Sequence, residues 1–181
     1  MIERTFKILV LLMTTFYMSG CSSNNDDAMR YFEDRYFAIE KVIDADTDFQ
    51  NSLEKILSEN ADDTLFGDEY IAIIDEINFK FNTLANVINE LKVNNLLEET
   101  NDNNLNRAYR LLIETYREVI ESDYSQIVEL VKNSDHGEEE SNQKFNTLYT
   151  NASDKLNKKV DLFYEALHEY SIAKDLEIDL K

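Results

Sequence analysis

Residues that interrupt regular backbone structure are almost missing from this chain. Proline does not occur in its 181 residues, and glycine occurs three times, at positions 20, 67 and 137. Long uninterrupted segments are therefore expected. In one of them apolar residues alternate at spacings of four and three: Tyr70, Ile74, Ile77, Phe81, Leu84, Ile88 and Leu91. A strand has a period of two, so this spacing predicts a long helix.

Similar patterns predict three further helices. The first covers about residues 29–58, the third starts near Leu105, and the fourth opens with residues 138–140. In the first helix the apolar register shifts where Asp44, Asp46 and Asp48 occur, so a local irregularity or kink is expected there. The residues expected in the core are Ile77, Phe81, Leu84, Phe145, Leu156 and Phe163.

Short polar connections separate these helices and make sequential neighbours antiparallel. The predicted fold is therefore all-α, an antiparallel up-down bundle of about four long helices that occupies residues 29–181. The alternative is a pair of helical hairpins that complete their core by forming a homodimer.

Composition limits the function classes. The chain has 37 acidic and 18 basic residues, a net charge of −19, and this charge disfavours binding to the nucleic-acid backbone. Twenty Phe and Tyr residues supply apolar area for a core, so disorder of the whole chain is not expected. A single cysteine excludes a disulfide scaffold.

The first twenty residues have the layout of a signal peptide. Arg4 and Lys7 precede an apolar run over residues 8–18, which is too short to span a bilayer comfortably, because that requires about 20 apolar residues. The run ends at Met18-Ser19-Gly20-Cys21, where small residues precede the only cysteine. Residues 1–20 are therefore expected to be removed.

That tetrapeptide resembles the lipobox of bacterial lipoproteins, with Met18 in place of the commoner leucine. The resemblance implies that Cys21 receives a diacylglycerol and becomes the first residue of the mature protein. Residues 21–28 then form a lipidated tether. The mature chain keeps 16 basic and 36 acidic residues, a net charge of −20. The alternative is an ordinary signal peptide in which Cys21 is incidental.

The expected location follows from the lipid anchor: the extracytoplasmic face of a cell membrane or an outer membrane. The body also loosely resembles helical lipoproteins of uncharacterised role that are described as cell-wall-binding. With these resemblances, the expected function is a non-enzymatic binding or scaffold module of the cell envelope. Its partner would be a protein or cell-wall component with a basic surface, since the body is acidic.

Two groups of residues have partial metal-site spacing. Asp44, Asp46 and Asp48 match the opening of a calcium loop, but Phe49 and Lys55 occupy the positions of its required glycine and glutamate. The three aspartates are therefore expected on a solvated helix face. Glu165 and His168 have the spacing of a di-iron ligand pair, but the only other histidine is His136, in an expected loop. Neither a metal site nor a cofactor is predicted.

Catalytic motifs are also missing from the sequence. It contains no Gly-x-Ser-x-Gly and no glycine-rich phosphate loop, so an enzyme is not predicted. Lys155, Lys158 and Lys159 form the main basic cluster and are expected to be an ion-pair patch. The alternative function is a carrier of a small ligand or metal inside the bundle. Its candidate inward polar residues are Asp46, Asp123 and Lys159.

Overall fold

The computed structural model describes residues 23–60, 68–93, 103–133, 139–176 and 178. Its helices are α1 (Ser23–Asn60), α2 (Asp68–Val93), α3 (Asn104–Val119), a π-helical segment (Ile120–Tyr124), α4 (Ser125–Asn133) and α5 (Glu139–Ala173). The π-helical segment joins α3 to α4 without a break, so the described residues form four long helical rods. No strand occurs in the described part of the chain, and the predicted all-α bundle is confirmed.

Cross-helix contacts establish an up-down-up-down arrangement. Lys41 pairs with Glu90 and Lys55 pairs with Glu76, so residue numbers rise along α1 as they fall along α2. In the same antiparallel sense, Asn104 of α3 donates a hydrogen bond to Glu169 of α5, and Glu118, later on α3, pairs with Lys155, earlier on α5. Sequential rods therefore alternate in direction, as expected for short connections.

A single hydrophobic core is shared by both hairpins. It includes Ile39 and Leu53 of α1, Leu84 of α2, Tyr109 of α3 and Phe163 of α5. The hairpins complete this core within one chain, so the alternative in which a homodimer completes it is not needed. Five of the six predicted core residues are buried: Ile77, Leu84, Phe145, Leu156 and Phe163. Phe81 is only partly buried and packs on the edge of the core.

The start of α1 differs from the prediction. The helix begins at Ser23, so most of the segment predicted as a tether at residues 21–28 is helical. The polar composition of Ser22–Ala28 suggested a tether, but Ala28 is buried at 6 % exposure. Packing of Ala28 and Phe32 thus extends the helix toward the amino terminus, as tertiary contacts commonly override local propensity.

The predicted kink near Asp44, Asp46 and Asp48 is wrong. α1 is a continuous α-helix through all three residues. One stripe of its buried positions keeps a spacing of four and three throughout: Ala28, Phe32, Arg35, Ile39, Val42, Asp46, Phe49, Leu53 and Ile56. The register seemed to shift because Arg35 and Asp46 occupy core positions of an unbroken stripe.

Candidate functional site

A group of polar side chains lies inside the bundle where α1 faces the π-helical segment. We call Asp46, Gln50, Tyr116, Tyr124 and Tyr149 the Asp46 cluster. The Tyr124 hydroxyl donates to Asp46 Oδ1 at 2.8 Å, and Gln50 Nε2 donates to Asp46 Oδ2 at 2.8 Å. The Tyr116 hydroxyl approaches the same Oδ2 at 3.4 Å. Each carboxylate oxygen of Asp46 therefore has a protein donor.

The cluster extends across the bundle to α5. Gln50 lies one helical turn after Asp46, and its Oε1 accepts a hydrogen bond of 3.1 Å from the Tyr149 hydroxyl. Its Nε2 also lies 3.3 Å from the Tyr124 hydroxyl. One amide side chain thus links α1, the π-helical segment and α5. This network fixes how the two hairpins align, because a shifted register would leave buried polar groups unsatisfied.

The π-helical segment positions the main donor. Its wider turn is shown by a backbone hydrogen bond: the Ser125 N–H donates to the Ile120 carbonyl five residues earlier. The Ser125 hydroxyl donates to the same carbonyl at 2.7 Å. Two consecutive polar residues of this segment, Asp123 and Tyr124, are buried. Such one-turn π segments often occur where a helix must place a particular side chain.

Burial sets the protonation chemistry of the cluster. It raises the pKa of Asp46 from 3.8 to about 6, against the hydrogen bonds from Tyr124, Gln50 and Tyr116, which lower it. Burial and the nearby Asp46 charge raise the pKa values of Tyr116 and Tyr124 above their ordinary value. Both hydroxyls therefore stay protonated as donors, while the Asp46 carboxyl exchanges a proton near pH 6.

A second polar contact lies next to the cluster. Asp123, at 6 % exposure, accepts a hydrogen bond of 2.8 Å from Lys155 of α5, whose ammonium also lies 3.5 Å from Glu118. The hydrogen bond to Asp123 raises the pKa of Lys155. The prediction of an ion-pair patch is therefore confirmed for Lys155. Lys158 and Lys159 form neither a hydrogen bond nor an ion pair with any residue that the structure describes.

Arg35 is a buried charged residue that the sequence analysis missed. Its Nη2 donates to Asn106 Oδ1 of α3 at 3.2 Å, and its Nη1 donates to the Tyr31 carbonyl at 3.2 Å. The guanidinium carbon lies 3.4 Å from the centroid of the Tyr31 ring, a cation–π contact. The available signal was the position of Arg35 in the apolar stripe, between Phe32 and Ile39.

An open groove runs along the outer seam between α3 and α5. Its volume is about 360 Å³, within the range of small-ligand sites. The lining is polar and mixed in charge: Thr115, Glu118, Asn151, Asp154, Lys155, Lys158 and Lys159. The lysines of the cluster at residues 155–159 thus face a shared depression, which the sequence alone did not predict.

The residues considered as metal ligands do not come together. Asp44 and Asp48 are exposed, whereas Asp46 is buried, so the expected solvated face holds for two of the three aspartates. Glu165 and His168 are exposed on α5. Within the described ranges, no three His, Cys, Asp or Glu side chains are grouped to hold a metal ion.

Three polar residues were predicted to point into the bundle if the protein is a carrier. Of these, Asp46 and Asp123 are buried and Lys159 is half-buried. Cys21 and His136 lie outside the described residues.

Comparisons with known proteins leave the chain without an assigned relative. In the described part of the chain, every helix is too short or too polar to cross a membrane.

No family model, curated protein or solved structure matches this chain.

Proposed function

We propose that the protein is a lipid-anchored, extracytoplasmic binding module of the bacterial cell envelope that performs no catalysis. The lipobox-like Met18-Ser19-Gly20-Cys21 supplies the anchor, and the helical bundle supplies the binding surface. The observation that carries the proposal is this tetrapeptide, which follows a positively charged and then apolar segment and ends at the only cysteine of the chain.

Two or three acyl chains on Cys21 would hold the protein stably at the membrane. Each buried methylene contributes about 0.8 kcal/mol, and two chains exceed the marginal affinity of one. The body itself, with a charge of −20 after removal of residues 1–20, is repelled by anionic lipid. In this proposal the lipid holds the protein at the membrane while the bundle projects from it.

The outer surface favours a partner with a basic face. Acidic side chains are exposed along α1 and α2: Asp26, Asp27, Asp34, Asp44, Asp48, Glu54, Glu69, Asp75, Glu76 and Glu90. These side chains outnumber the exposed basic ones that the structure describes on the same helices, Arg30, Lys41 and Lys55, and an excess of one sign steers association with oppositely charged partners. A protein or cell-wall component with a basic patch is therefore the proposed partner.

The alternative function, a carrier with its site inside the bundle, has less support from the interior. The polar groups that such a carrier needs are present at Asp46 and Asp123. However, their carboxylate oxygens accept hydrogen bonds from Tyr124, Gln50 and Lys155 of the same chain. These two interior carboxylates are thus engaged by the fold itself, which favours binding on the outer surface.

Cys21→Ala tests the anchor. In cells fed an alkyne fatty acid, the wild-type protein should be labelled and should sediment with membranes, whereas Cys21→Ala should be unlabelled and retain residues 1–20. Ser22→Ala, a matched change one residue away, should behave as wild type. Normal processing and labelling of Cys21→Ala would overturn the proposal.

A further inference from the structure

The groove between α3 and α5 contains two cations that the fold itself does not use. Lys155 is engaged by Asp123 and Glu118, at 2.8 and 3.5 Å. Lys158 and Lys159 line the same groove, and within the described part of the chain neither has a carboxylate within 4.0 Å. This placement is unusual in a chain of charge −19, where acidic partners are abundant.

Lys159 is unusual for a second reason. It occupies a core-register position on α5, three residues after Leu156 and four before Phe163, both of which are buried. Lys159 itself is half-buried, so its stem packs along the bundle while it lines the groove. An apolar residue would suit this position for packing alone. A lysine here instead supplies positive charge at the groove.

Neutral hydrogen-bonding groups accompany the two lysines in the groove, which the carboxylates of Glu118 and Asp154 also line. Thr115 lies on the α3 wall, and Asn151 lies on the α5 wall two turns before Lys158. The Thr115 hydroxyl donates its hydrogen to the Leu111 carbonyl at 2.8 Å. The Asn151 side chain forms no hydrogen bond with the described residues and presents an amide donor. Ammonium and amide donors together are suited to an oxyanion.

The groove adjoins exposed apolar side chains. Asn104 pairs with Glu169, and Glu118 pairs with Lys155. On α3, Leu111 lies midway between Asn104 and Glu118. On α5, Leu162 lies midway between Lys155 and Glu169. The shared antiparallel register therefore places these leucines opposite each other on the same seam. Both are exposed, at 41 % and 45 %, one helical turn from Thr115 and Lys158.

We propose that this groove binds a small ligand that carries a carboxylate or phosphate group next to a short apolar group. The oxyanion is held by Lys158 and Lys159, and the apolar part packs on Leu111 and Leu162. The volume of about 360 Å³ suits a small molecule. This site is distinct from the acidic face proposed for partner binding and does not depend on the lipid anchor.

The test uses the full chain in nanodiscs of zwitterionic lipid, labelled with ¹⁵N-lysine. Butanoate and butyl phosphate are titrated in separate arms, with butylammonium as the control of opposite charge. Saturable amide shifts are expected at Lys155, Lys158 and Lys159 with at least one of the two anions. The arm with the lower Kd identifies the oxyanion. Lys144, exposed elsewhere on α5, should not respond.

Substitutions test which residues of the groove bind the anion and its apolar group. Lys158→Ala with Lys159→Ala should weaken the anion at least tenfold, whereas Lys144→Ala should leave its Kd unchanged. Leu162→Ser should weaken butanoate until it binds no better than acetate.

The proposal would be overturned by shifts that do not saturate, by equal binding of butylammonium, or by a double variant that retains the wild-type Kd. Because membrane attachment and processing are measured separately, failure here leaves the lipid-anchor test unaffected.

Discussion

Asp46 helps to align the helices although burial removes its carboxyl group from water. Its carboxyl group is buried at 6 % exposure between α1 and the π-helical segment, where an apolar side chain would pack without desolvation. Removing a carboxylate from water is costly unless donors surround it. Tyr124, Gln50 and Tyr116 supply those donors, and the resulting directional bonds determine how the helices align.

The raised pKa of Asp46 predicts a specific pH dependence. The folded protein holds this proton more tightly than the unfolded chain does, with pKa values of about 6 and 3.8. The contribution of Asp46 to stability is therefore full below about pH 4 and falls as the pH rises through 6. The loss amounts to roughly 3 kcal/mol at neutral pH.

Asp46→Asn removes this titration while keeping the shape of the side chain. The free energy of unfolding of the variant minus that of wild type should rise by up to about 3 kcal/mol between pH 4 and pH 7. Urea denaturation at several pH values measures this difference, from which the effects of the other carboxylates cancel. Parallel pH profiles of the two proteins would show that Asp46 has an ordinary pKa.

Two buried tyrosines form a matched pair for testing the cluster. Tyr124 and Tyr109 are both 0 % exposed, but the Tyr124 hydroxyl donates to Asp46, whereas the Tyr109 hydroxyl has no hydrogen-bond partner among the described residues. Tyr124→Phe should cost about 1 to 3 kcal/mol of stability, and Tyr109→Phe should cost less than about 0.5 kcal/mol or stabilise the protein. Chemical denaturation measures both, and equal costs would argue against the assigned role of Asp46.

At the scale of single residues, the sequence predicted which polar residues lie inside the bundle better than it predicted which side chains they contact. Asp46, Asp123 and Lys159 were candidates for the interior because they interrupt apolar stripes, and the two aspartates are buried. Helical spacing places Gln50 one turn after Asp46, but nothing in the sequence indicated that Tyr116 and Tyr124 would meet Asp46. That meeting depends on pairing between helices about 70 residues apart, which helical periodicity does not encode.

Phe49 lies where three helical elements meet. Its ring centroid lies 4.8 Å from that of Tyr124 and 5.8 Å from that of Phe81, so it joins α1 to the π-helical segment and to α2. Phe49 is 0 % exposed, whereas Phe81 is partly buried at the edge of the core. The position of Phe49 makes it the more sensitive site for disturbing the packing of helices.

Phe49→Ala should therefore cost roughly 3 to 5 kcal/mol in the free energy of unfolding, since it leaves a cavity where three helical elements meet. Phe81→Ala is the matched control and should cost distinctly less, because its ring already contacts solvent. Thermal and urea unfolding of both variants provide the comparison. A larger loss for Phe81→Ala would contradict the packing described for α1 and α2.

Sequence periodicity predicted the four rods but not their irregularities. The stripe Ile113, Tyr116, Ile120, Tyr124, Ile127 and Val131 fits one helix, and all six residues are buried. The π-helical turn cannot be recognised from the sequence, because the apolar residues keep spacings of three and four through it. Conversely, a kink was predicted in α1 because its apolar residues alone shift register, whereas the buried Arg35 and Asp46 continue the stripe.

At the scale of the whole molecule, the bundle combines a closed core with a strongly acidic exterior. Ion pairs between α1 and α2, such as Lys41–Glu90 and Lys55–Glu76, are exposed and contribute little to stability individually. Most of the negative charge on the surface is therefore not neutralised and can attract a basic partner at long range. The proposed partner is recognised through this charge, and its recognition should depend on ionic strength.

Binding to a partner captured from cross-linked envelopes should weaken as salt is raised. At physiological ionic strength the Debye length is about 8 Å, and further salt screens charges across the interface. Association rates measured at low and high salt should fall several-fold, with a smaller change in dissociation rates. An affinity that is indifferent to salt would show that the acidic surface contributes to solubility and that apolar contacts mediate binding.

The amino terminus of the mature protein gives the most direct test of the central claim, that this bundle is held at a membrane by lipid on Cys21. Mass spectrometry of the protein extracted from bacterial membranes should show Cys21 as the first residue, carrying a diacylglycerol and two or three acyl chains in total. A mature chain that starts elsewhere, or an unmodified Cys21, would contradict the account.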